Sequence, residues 1–187
     1  MEIIYEQGNF TVAAVNKNDL EYESFQRLRT LEWSKEGREK VPPGQLEVDE
    51  FDQSAVYIVA LHHNQFVGGY RLIMADDIKK LPFSKYCEST PTTAGPAVEI
   101  SRWCTDQRVP TNVRSIAHMV MMRGALVYFA TKKTYEHVYV DVCDSLFNHC
   151  SKIGVSFDQL GKKHLRPDGS VFVPARVKLS ASAGIGR

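Results

Sequence analysis

The sequence lacks the short motifs that mark several common kinds of site. Its cysteines form no Cys-x-x-Cys pair, and its six histidines form no His-Glu-x-x-His motif. It also contains no Gly-x-Ser-x-Gly elbow, no P-loop and no Gly-x-Gly-x-x-Gly fingerprint. These absences predict a protein without a metal site, a hydrolase-type serine or a bound cofactor. The cysteines, expected to be reduced thiols, are Cys87, Cys104, Cys143 and Cys150.

The sequence also lacks an excess of positive or negative charge, and it lacks long apolar runs. The 187 residues carry 23 Lys and Arg against 22 Asp and Glu, a net charge of +1, which gives no field for nucleic acid. No stretch approaches the roughly 20 apolar residues of a membrane span, and the acidic start does not resemble a signal peptide. We therefore expect a cytoplasmic protein with one domain over residues 1–187 and a flexible tail from about residue 180.

The order of apolar patterns predicts an α/β fold. Strands are expected near Phe10–Val15, Ala55–Leu61, Phe66–Met74, Ala97–Cys104 and His137–Val142, and later at Val155–Leu160 and Ser170–Leu179. Helices are expected over Leu20–Trp33, with Leu20, Leu28 and Leu31 on its buried face, over Ser115–Thr131, and from Asp144 to about Ile153. Strand runs followed by a βαβ unit predict a layered fold, with a mixed sheet and helices on both faces.

An acidic segment precedes the second of these strands. Glu47-Val-Asp-Glu-Phe-Asp52 places four carboxylates within six residues. Such a run is usually a solvated loop, which is the plain interpretation. The functional interpretation is a site for a cationic substrate, such as an aminosulfonium compound held by fixed carboxylates.

Two arginines and a glutamate lie within strand patterns. Arg71 follows apolar neighbours in mid-strand, so it needs a partner if it is buried. Strand alternation places Arg71 with Gly69 on one face and Tyr70 on the other. In Glu99-Ile-Ser-Arg102, alternation separates Glu99 and Ser101 from Arg102 unless a bulge intervenes.

The surroundings of Glu99 allow two interpretations. Burial in an apolar strand is expected to raise the pKa of Glu99 and suit it to act as a general base. The alternative is a structural ion pair of Glu99 with Arg71 or Arg102.

Apolar candidates accompany these charged ones. Trp33 ends the first helix beside a polar loop and is placed to stack on an adenine or a sulfonium, or to serve as core. Met119, Met121 and Met122 on the second helix suit a flexible acyl chain, although core packing is their ordinary role.

The order of these motifs resembles the acyl-homoserine-lactone synthases, the autoinducer synthase family. The resemblance spans Trp33 to Asp106 and consists of the Trp, a Glu-x-Asp-x-Phe-Asp segment, a Gly-x-Arg-Leu strand and Glu-x-Ser-Arg followed by Trp103. It implies an acetyltransferase-like (GNAT-type) three-layer fold with a mixed, mostly antiparallel sheet. It also implies that S-adenosylmethionine, as a substrate, is acylated from acyl carrier protein or coenzyme A. Amide formation would precede lactone closure with loss of methylthioadenosine, the chemistry of a quorum-sensing signal.

The resemblance also assigns roles to residues. Asp49 and Asp52 would position the cationic substrate, Arg71 and Arg102 would brace them, and Glu99 would be the base. Trp33 falls on a characteristic position, and Met119, Met122 and Val140 would line the acyl pocket. Val140 stands where members that prefer 3-oxo chains often carry Thr, which favours an unsubstituted chain. The family's first-helix arginine is not assignable between Arg27 and Arg29.

An acidic carrier protein would need a basic patch, and several lysines and arginines are available for one. Scattered solubilising charge is the alternative interpretation. The candidates are Arg123, Lys132, Lys133, Lys152, Lys162 and Lys163. Two other functions remain open: an N-acyl amino acid synthase on the same fold, and a non-catalytic domain that binds a ligand.

Overall fold

A computed structural model describes residues 1–34, 41–42, 44–87, 95–132, 137–152, 155–166 and 168–178. The chain folds as two compact units, and each combines separate stretches of sequence. The first unit comprises Met1–Ile73 and Ser101–Lys133, and the second comprises Met74–Ile100 and Thr134–Arg187. The expectation of one domain stays a prediction. The expected tail, and most of the loop expected over residues 34–44, lie outside the described residues.

The first unit contains an antiparallel sheet in the order β1-β2-β3-β4. Its strands are β1 (Glu2–Gln7), β2 (Phe10–Val15), β3 (Val56–His62), β4 (Gln65–Ala75, as far as Ile73) and the later part of β5 (Ala97–Thr105). Its helices are α1 (Leu20–Trp33), α2 (Thr111–Lys132) and a 3₁₀ helix (Glu50–Gln53). The strands predicted at Ala55–Leu61 and Phe66–Met74 are confirmed as β3 and β4, which form an antiparallel hairpin with His63 and Asn64 at positive φ in the turn.

The two helices of the first unit cover opposite faces of its sheet. A Cβ on Gly69 of β4 would lie 2.8 Å from the Phe25 ring of α1, so only glycine lets that helix approach so closely. The next residue, Tyr70, points the other way and donates its hydroxyl to the Met121 carbonyl of α2 at 3.4 Å. The predicted alternation along β4 is therefore confirmed. Its consequence is that Arg71, like Gly69, lies on the α1 face.

The second unit holds the parallel pair that makes the sheet mixed. Its strand order is β5-β6-β9-β7, with β5 parallel to β6 and β9 antiparallel to β6 and β7. A short β8 also pairs with β9. The new elements are β6 (His137–Cys143), α3 (Asp144–Lys152), β7 (Ser156–Gln159), β8 (His164–Leu165), β9 (Val171–Lys178) and 3₁₀ helices at Ile78–Lys80 and Pro82–Tyr86.

The buried face of α1 differs from the predicted one. Leu20 is 79% exposed and Leu31 is 63% exposed, and of the three expected leucines Leu28 alone is buried. The buried side chains are instead Phe25, Gln26, Leu28, Arg29, Glu32 and Trp33. The prediction was wrong because it counted apolar residues, whereas this helix turns charged side chains toward buried partners.

Three further differences concern element boundaries and burial. β1 and β8 were not predicted, since β1 is a largely exposed edge strand and β8 has two residues. α2 begins at Thr111, four residues before the predicted Ser115. The many apolar residues of α2 also predict burial on most of its sides, which is wrong, because Ile116 and Met119 are 39% and 41% exposed.

Candidate functional site

The acidic segment is folded against α1 and buries two of its four carboxylates. Glu47 and Asp52 are inaccessible to solvent, and the side chain of Asp49 retains 19% exposure. The backbone N–H of Glu47 donates to the Thr30 hydroxyl of α1 at 2.8 Å. Asp49 and Asp52 form a reciprocal capping box at the 3₁₀ helix Glu50–Gln53. The plain interpretation, a solvated acidic loop, is therefore wrong for these three carboxylates, although Glu50 remains exposed.

Asp52 is surrounded by hydrogen-bond donors. Its Oδ1 accepts Nη1 of Arg29 at 2.6 Å, Nη1 of Arg71 at 2.8 Å and the Tyr57 hydroxyl at 2.8 Å. Its Oδ2 accepts the backbone N–H of Asp49 at 2.8 Å. A buried carboxylate with this many donors is strongly favoured in its ionised form.

Electrostatics follow from this geometry. Burial alone would raise the pKa of Asp52, but the hydrogen bonds from Arg29, the Asp49 backbone and Arg71 outweigh it and hold the pKa well below its usual range. Burial, reinforced by the bond to Asp52, raises the pKa of Tyr57, so its hydroxyl stays a donor. Burial alone would lower the pKa of Arg71, but the hydrogen bonds and charges of Asp49 and Asp52 outweigh that effect and raise the pKa.

Arg71 links β4 to the acidic segment and to β5. Its side chain is 1% exposed, and Nη1 also donates to Oδ1 of Asp49 at 2.6 Å. Its Nε donates to the Ser101 hydroxyl at 3.1 Å. The predicted partner for a buried mid-strand arginine is thus present, and Asp49 and Asp52 provide it.

Arg102 reaches the same carboxylates from β5. Its Nη2 lies 2.7 Å from Oε1 of Glu47 and 3.3 Å from Oδ2 of Asp49, and its guanidinium carbon lies 5.1 Å from the centre of the Trp33 ring. Strict alternation would have placed Arg102 and Ser101 on opposite faces. The φ of Arg102 is +55°, in the left-handed region, and this local break in the strand brings both side chains to the cluster.

Arg29 is the member of this cluster that the sequence did not assign. Its side chain is 0% exposed and pairs with Glu47 through Nε and with Asp52 through Nη1. Arg27, by contrast, is 72% exposed and pairs with Glu23 one turn away. The available signal was helical spacing, because Phe25, Arg29 and Trp33 are four residues apart and share the buried face.

The charges of the cluster cancel. It joins the carboxylates of Glu47, Asp49 and Asp52 to the guanidiniums of Arg29, Arg71 and Arg102. The resemblance implied that Arg71 and Arg102 brace Asp49 and Asp52, and the structure shows both arginines paired within this group of carboxylates. It adds Arg29 as a third cation, which the sequence left unassigned. Asp49 is the most exposed of the three carboxylates, and its Oδ2 makes longer contacts, at 3.3 Å to Arg102 and 3.6 Å to Arg29.

Glu99 belongs to the second unit and precedes Ser101 by two residues along β5. It is 3% exposed, and its Oε2 accepts the backbone N–H of Phe83 at 2.9 Å. The expected burial is confirmed. The role of Glu99 as a base stays a prediction.

The predicted acyl-pocket residues have different environments. Met119 lies on the exposed side of α2, Met122 is half-buried, and Val140 is buried in β6 between Ile100 and Ala175. Core packing, the ordinary role for these methionines, is wrong for Met119 and holds for the fully buried Met121. The assignment of these residues to an acyl pocket stays a prediction.

The expected basic residues make separate local contacts. In the first unit, Arg123 donates to Gln7 at 2.9 Å and Lys132 lies 3.5 Å from Glu2. In the second, Lys163 pairs with Asp144 at 2.7 Å. Lys133 and the side chain of Lys152 lie outside the described parts of the chain. These contacts favour scattered solubilising charge for the described residues.

Two features are absent from the described residues. They contain no group of three or more His, Cys, Asp or Glu side chains arranged to hold a metal ion. Among them there is also no helix long and apolar enough to cross a membrane. Cys87, Cys104 and Cys143 are free thiols, and burial raises the pKa of Cys87 to about 11.

The mixed sheet and the helices on both faces of the first unit's sheet define a layered α/β protein. Residues 20–120, more than half of the chain, match the family model described as an acetyltransferase (GNAT) domain. The chain therefore belongs to the GNAT acetyltransferase family. No curated protein matches it at the level of sequence.

Solved structures show the same fold. The AHL synthase LasI is similar over 91% of this chain and 90% of its own, with 17% identity and a TM-score of 0.72. The CoA-dependent acyl-homoserine lactone synthase BjaI, solved with SAM and isopentyl-CoA, shares 19% identity over 90% of this chain and 82% of its own (TM-score 0.69). FeeM, an N-acyl amino acid synthase from uncultured soil microbes, shares 12% identity over 91% of each chain (TM-score 0.65).

Proposed function

We propose that this chain is an acyl-homoserine-lactone synthase that makes a quorum-sensing signal from S-adenosylmethionine and an acyl thioester. One observation carries the proposal. Trp33, Asp49, Asp52, Arg71 and Arg102, the separated positions on which the sequence resemblance rests, contact one another in a single cluster of the first unit. The fold shared with LasI and BjaI supports it, since both are described as synthases of this class.

The geometry of the cluster suggests different roles for its two aspartates. Asp52 has its oxygens occupied by Arg29, Arg71, Tyr57 and the Asp49 backbone, so it orders the acidic segment rather than meeting substrate. Asp49 keeps an exposed fraction and has longer contacts at Oδ2, so it is the carboxylate that would accept a substrate ammonium. Arg71 pairs with Asp49 from β4, and Arg102 pairs with it from β5.

Glu99 is the proposed general base. The α-amine of S-adenosylmethionine must lose a proton before it attacks the thioester carbonyl, and a fixed carboxylate serves that purpose. Its bond from the Phe83 backbone fixes the orientation of one oxygen. No covalent enzyme intermediate is needed, because the amine attacks the thioester carbonyl directly, and the C–S bond breaks to release the carrier as its thiol. Closure of the lactone by the substrate's own carboxylate then releases methylthioadenosine.

The acyl donor is coenzyme A or acyl carrier protein. BjaI and MesI are both described as CoA-dependent, which makes an acyl-CoA the first donor to try. An unsubstituted chain is proposed because Val140 offers no hydrogen bond to a 3-oxo group. The proposal also keeps the cytoplasmic location expected from the sequence, with no nucleic-acid partner.

The test is a reconstituted reaction. Purified protein is incubated with S-adenosylmethionine and a panel of acyl-CoA and acyl carrier protein donors, and the products are identified by mass spectrometry. The proposal requires both an acylated homoserine lactone and a stoichiometric release of methylthioadenosine. Formation of neither product with any donor would contradict it.

An N-acyl amino acid synthase is the second candidate. Similarity to FeeM favours it, and so does the balanced charge of the cluster, which weakens the case for a doubly cationic substrate. Free amino acids in the same assay would then give an acyl amino acid without methylthioadenosine. A non-catalytic ligand-binding domain, the third alternative, would give neither product while still binding ligand.

A further inference from the structure

The α2 face of the first unit carries a set of contacts centred on Trp103, which the proposed function does not use. The indole ring of Trp103 stacks on Tyr70, with ring centres 4.9 Å apart and planes 9° apart. Its Nε1 donates to Nδ1 of His118 on α2 at 2.8 Å. Tyr70 directly precedes Arg71, and Trp103 directly follows Arg102. The stack therefore joins the same two strands, β4 and β5, that carry these cluster arginines.

The contact fixes the protonation state of His118. An indole N–H is only a donor, so the ring atom 2.8 Å away must be an unprotonated nitrogen. In that neutral tautomer the proton is on Nε2, which lies 3.4 Å from the Thr105 hydroxyl. A protonated imidazole has two N–H groups and no acceptor, so two donors would then face each other.

Arg102, which precedes Trp103, has a strained backbone conformation that contacts on both sides of the strand stabilise. Arg102 has a φ of +55°, and a non-glycine residue persists in that region where its surroundings over-determine it. On one side Glu47, Asp49 and Trp33 hold its side chain. On the other, Trp103 is held by Tyr70 and His118.

We propose that His118 is a positioning residue that acts through Trp103. By accepting the indole N–H, neutral His118 keeps β5 in the conformation that carries the Arg102 guanidinium to Glu47 and Asp49. Protonation of His118 releases Trp103 and loosens that placement. The effect on catalysis rests on the proposed function, whereas the protonation-dependent contact does not.

Other titratable and charged groups on these elements are already engaged. On α2, Arg114 lies one turn before His118 and bonds to Gln107 and Thr111. After β5, Asp106 pairs with Arg108 at 2.7 Å. On β4, burial raises the pKa of Tyr70, so its hydroxyl stays neutral over the range of interest. Among these described groups, His118 is therefore the one whose second proton would break the contact with Trp103.

Tryptophan fluorescence tests the contact directly. The chain has two tryptophans, Trp33 and Trp103, so the wild type is compared with His118→Asn, which keeps an acceptor near the Nδ1 position and does not titrate. We expect the wild-type emission to change with a one-proton transition between about pH 8 and about pH 5, and His118→Asn to show no such transition. Circular dichroism at each pH confirms that the variants remain folded.

A second variant tests whether the fluorescence change comes from Trp103. Trp103→Phe should also lose the transition, leaving the pH-independent emission of Trp33. If the transition persists in His118→Asn or in Trp103→Phe, or is absent from the wild type, the proposal is overturned.

Activity separates positioning from simple stabilisation. With lactone formation as the readout at about pH 7.5, His118→Asn should retain kcat within about twofold, and His118→Leu should lose about tenfold, the effect of one lost hydrogen bond. Below about pH 6 the activity of the wild type, expressed relative to His118→Asn at the same pH, should fall toward that of His118→Leu, because the pH dependence of Glu99 and of the substrate amine is common to all three proteins. Equal losses in both variants would contradict positioning. A fluorescence transition without lactone would instead leave His118 as proposed and contradict the proposed function.

Discussion

The hydroxyl of Tyr57 donates to Oδ1 of Asp52 at 2.8 Å, and both side chains are buried. Tyr57 is thus the neutral member of a donor set whose other side chains are arginines. It lies on β3, so the bond ties the acidic segment to the central part of the first unit's sheet. The relationship gives a role to a residue that no charge pattern in the sequence singles out.

Removing this hydroxyl should weaken the fold measurably. Tyr57→Phe leaves Asp52 with one donor fewer in a buried site, and hydrogen bonds to charged groups contribute about 1.5–3 kcal/mol. We expect the free energy of unfolding, measured in urea, to fall by about that amount. Tyr5→Phe, on the exposed edge strand, is the control and should change it by less than about 0.5 kcal/mol. Equal effects of the two substitutions would show that the Asp52 bond contributes nothing.

The two arginines of α1 should differ sharply in how much they contribute to the free energy of unfolding. Arg29→Met leaves Glu47 and Asp52 buried without one of their cations and should cost about 3–5 kcal/mol of unfolding free energy. Arg27→Met removes an exposed pair and should cost less than about 1 kcal/mol. Chemical denaturation of both variants measures the difference. Similar stabilities would mean that the cluster does not depend on Arg29.

Acid should remove the contribution of Asp52. Because its pKa in the folded protein is depressed, its stabilisation is fully present above the unfolded pKa of about 3.9 and is lost as the pH falls through the folded value. Unfolding free energy should therefore drop steeply below about pH 4. Asp52→Asn should flatten that drop and Asp76→Asn, at an exposed residue, should leave most of it. An unchanged profile for Asp52→Asn would contradict the assignment.

The base role of Glu99 predicts a particular pH dependence. Glu99→Gln should lower kcat by about 10²–10⁴-fold at neutral pH, and the deficit should shrink at higher pH as the substrate amine loses its proton unaided. Arg71→Ala should lower activity by a factor that stays nearly constant with pH, because it disturbs Asp49 and Asp52 rather than proton transfer. Full activity of Glu99→Gln at neutral pH would exclude Glu99 as the base.

A structural role also makes a distinct prediction for Ser101. Ser101→Ala removes the acceptor at 3.1 Å from Nε of Arg71 but leaves the two carboxylate bonds of that arginine. We expect kcat/KM for lactone formation to fall about two- to tenfold. Ser101→Thr keeps a hydroxyl and should recover most of the loss. Failure of threonine to recover activity would indicate that space, not the hydrogen bond, matters at this position.

Local signals in the sequence predicted much of the fold. The bounds of α1 and the two strands that form the β3–β4 hairpin follow from periodicity and turn residues, and the structure has them close to where they were expected. The opposite faces of Gly69 and Tyr70 followed from the two-residue repeat of a strand. Strand β1 was missed because an exposed edge strand carries no buried alternation to recognise.

The sequence predicted most members of the cluster but not the equal number of carboxylates and arginines in it. Arg29 was not separable from Arg27, since the choice depends on which face of α1 meets Glu47, a contact between distant parts of the chain. The meeting of Ser101 and Arg102 at one cluster also escaped prediction, because the positive φ of Arg102 results from tertiary contacts rather than from its own preference. Strand periodicity assumes regular backbone and fails where that regularity breaks.

The equality of three acidic and three basic groups has a consequence for ionic strength. A site with a net charge attracts ligands over about one Debye length, about 10 Å in 0.1 M salt, and loses that attraction as salt is added. The six described groups of the cluster carry no net charge among themselves, so together they contribute little long-range field, and buried pairs are poorly screened by dissolved ions. Capture of a cationic molecule there would accordingly depend on contact rather than on attraction from a distance, and its rate should vary little between dilute and concentrated salt.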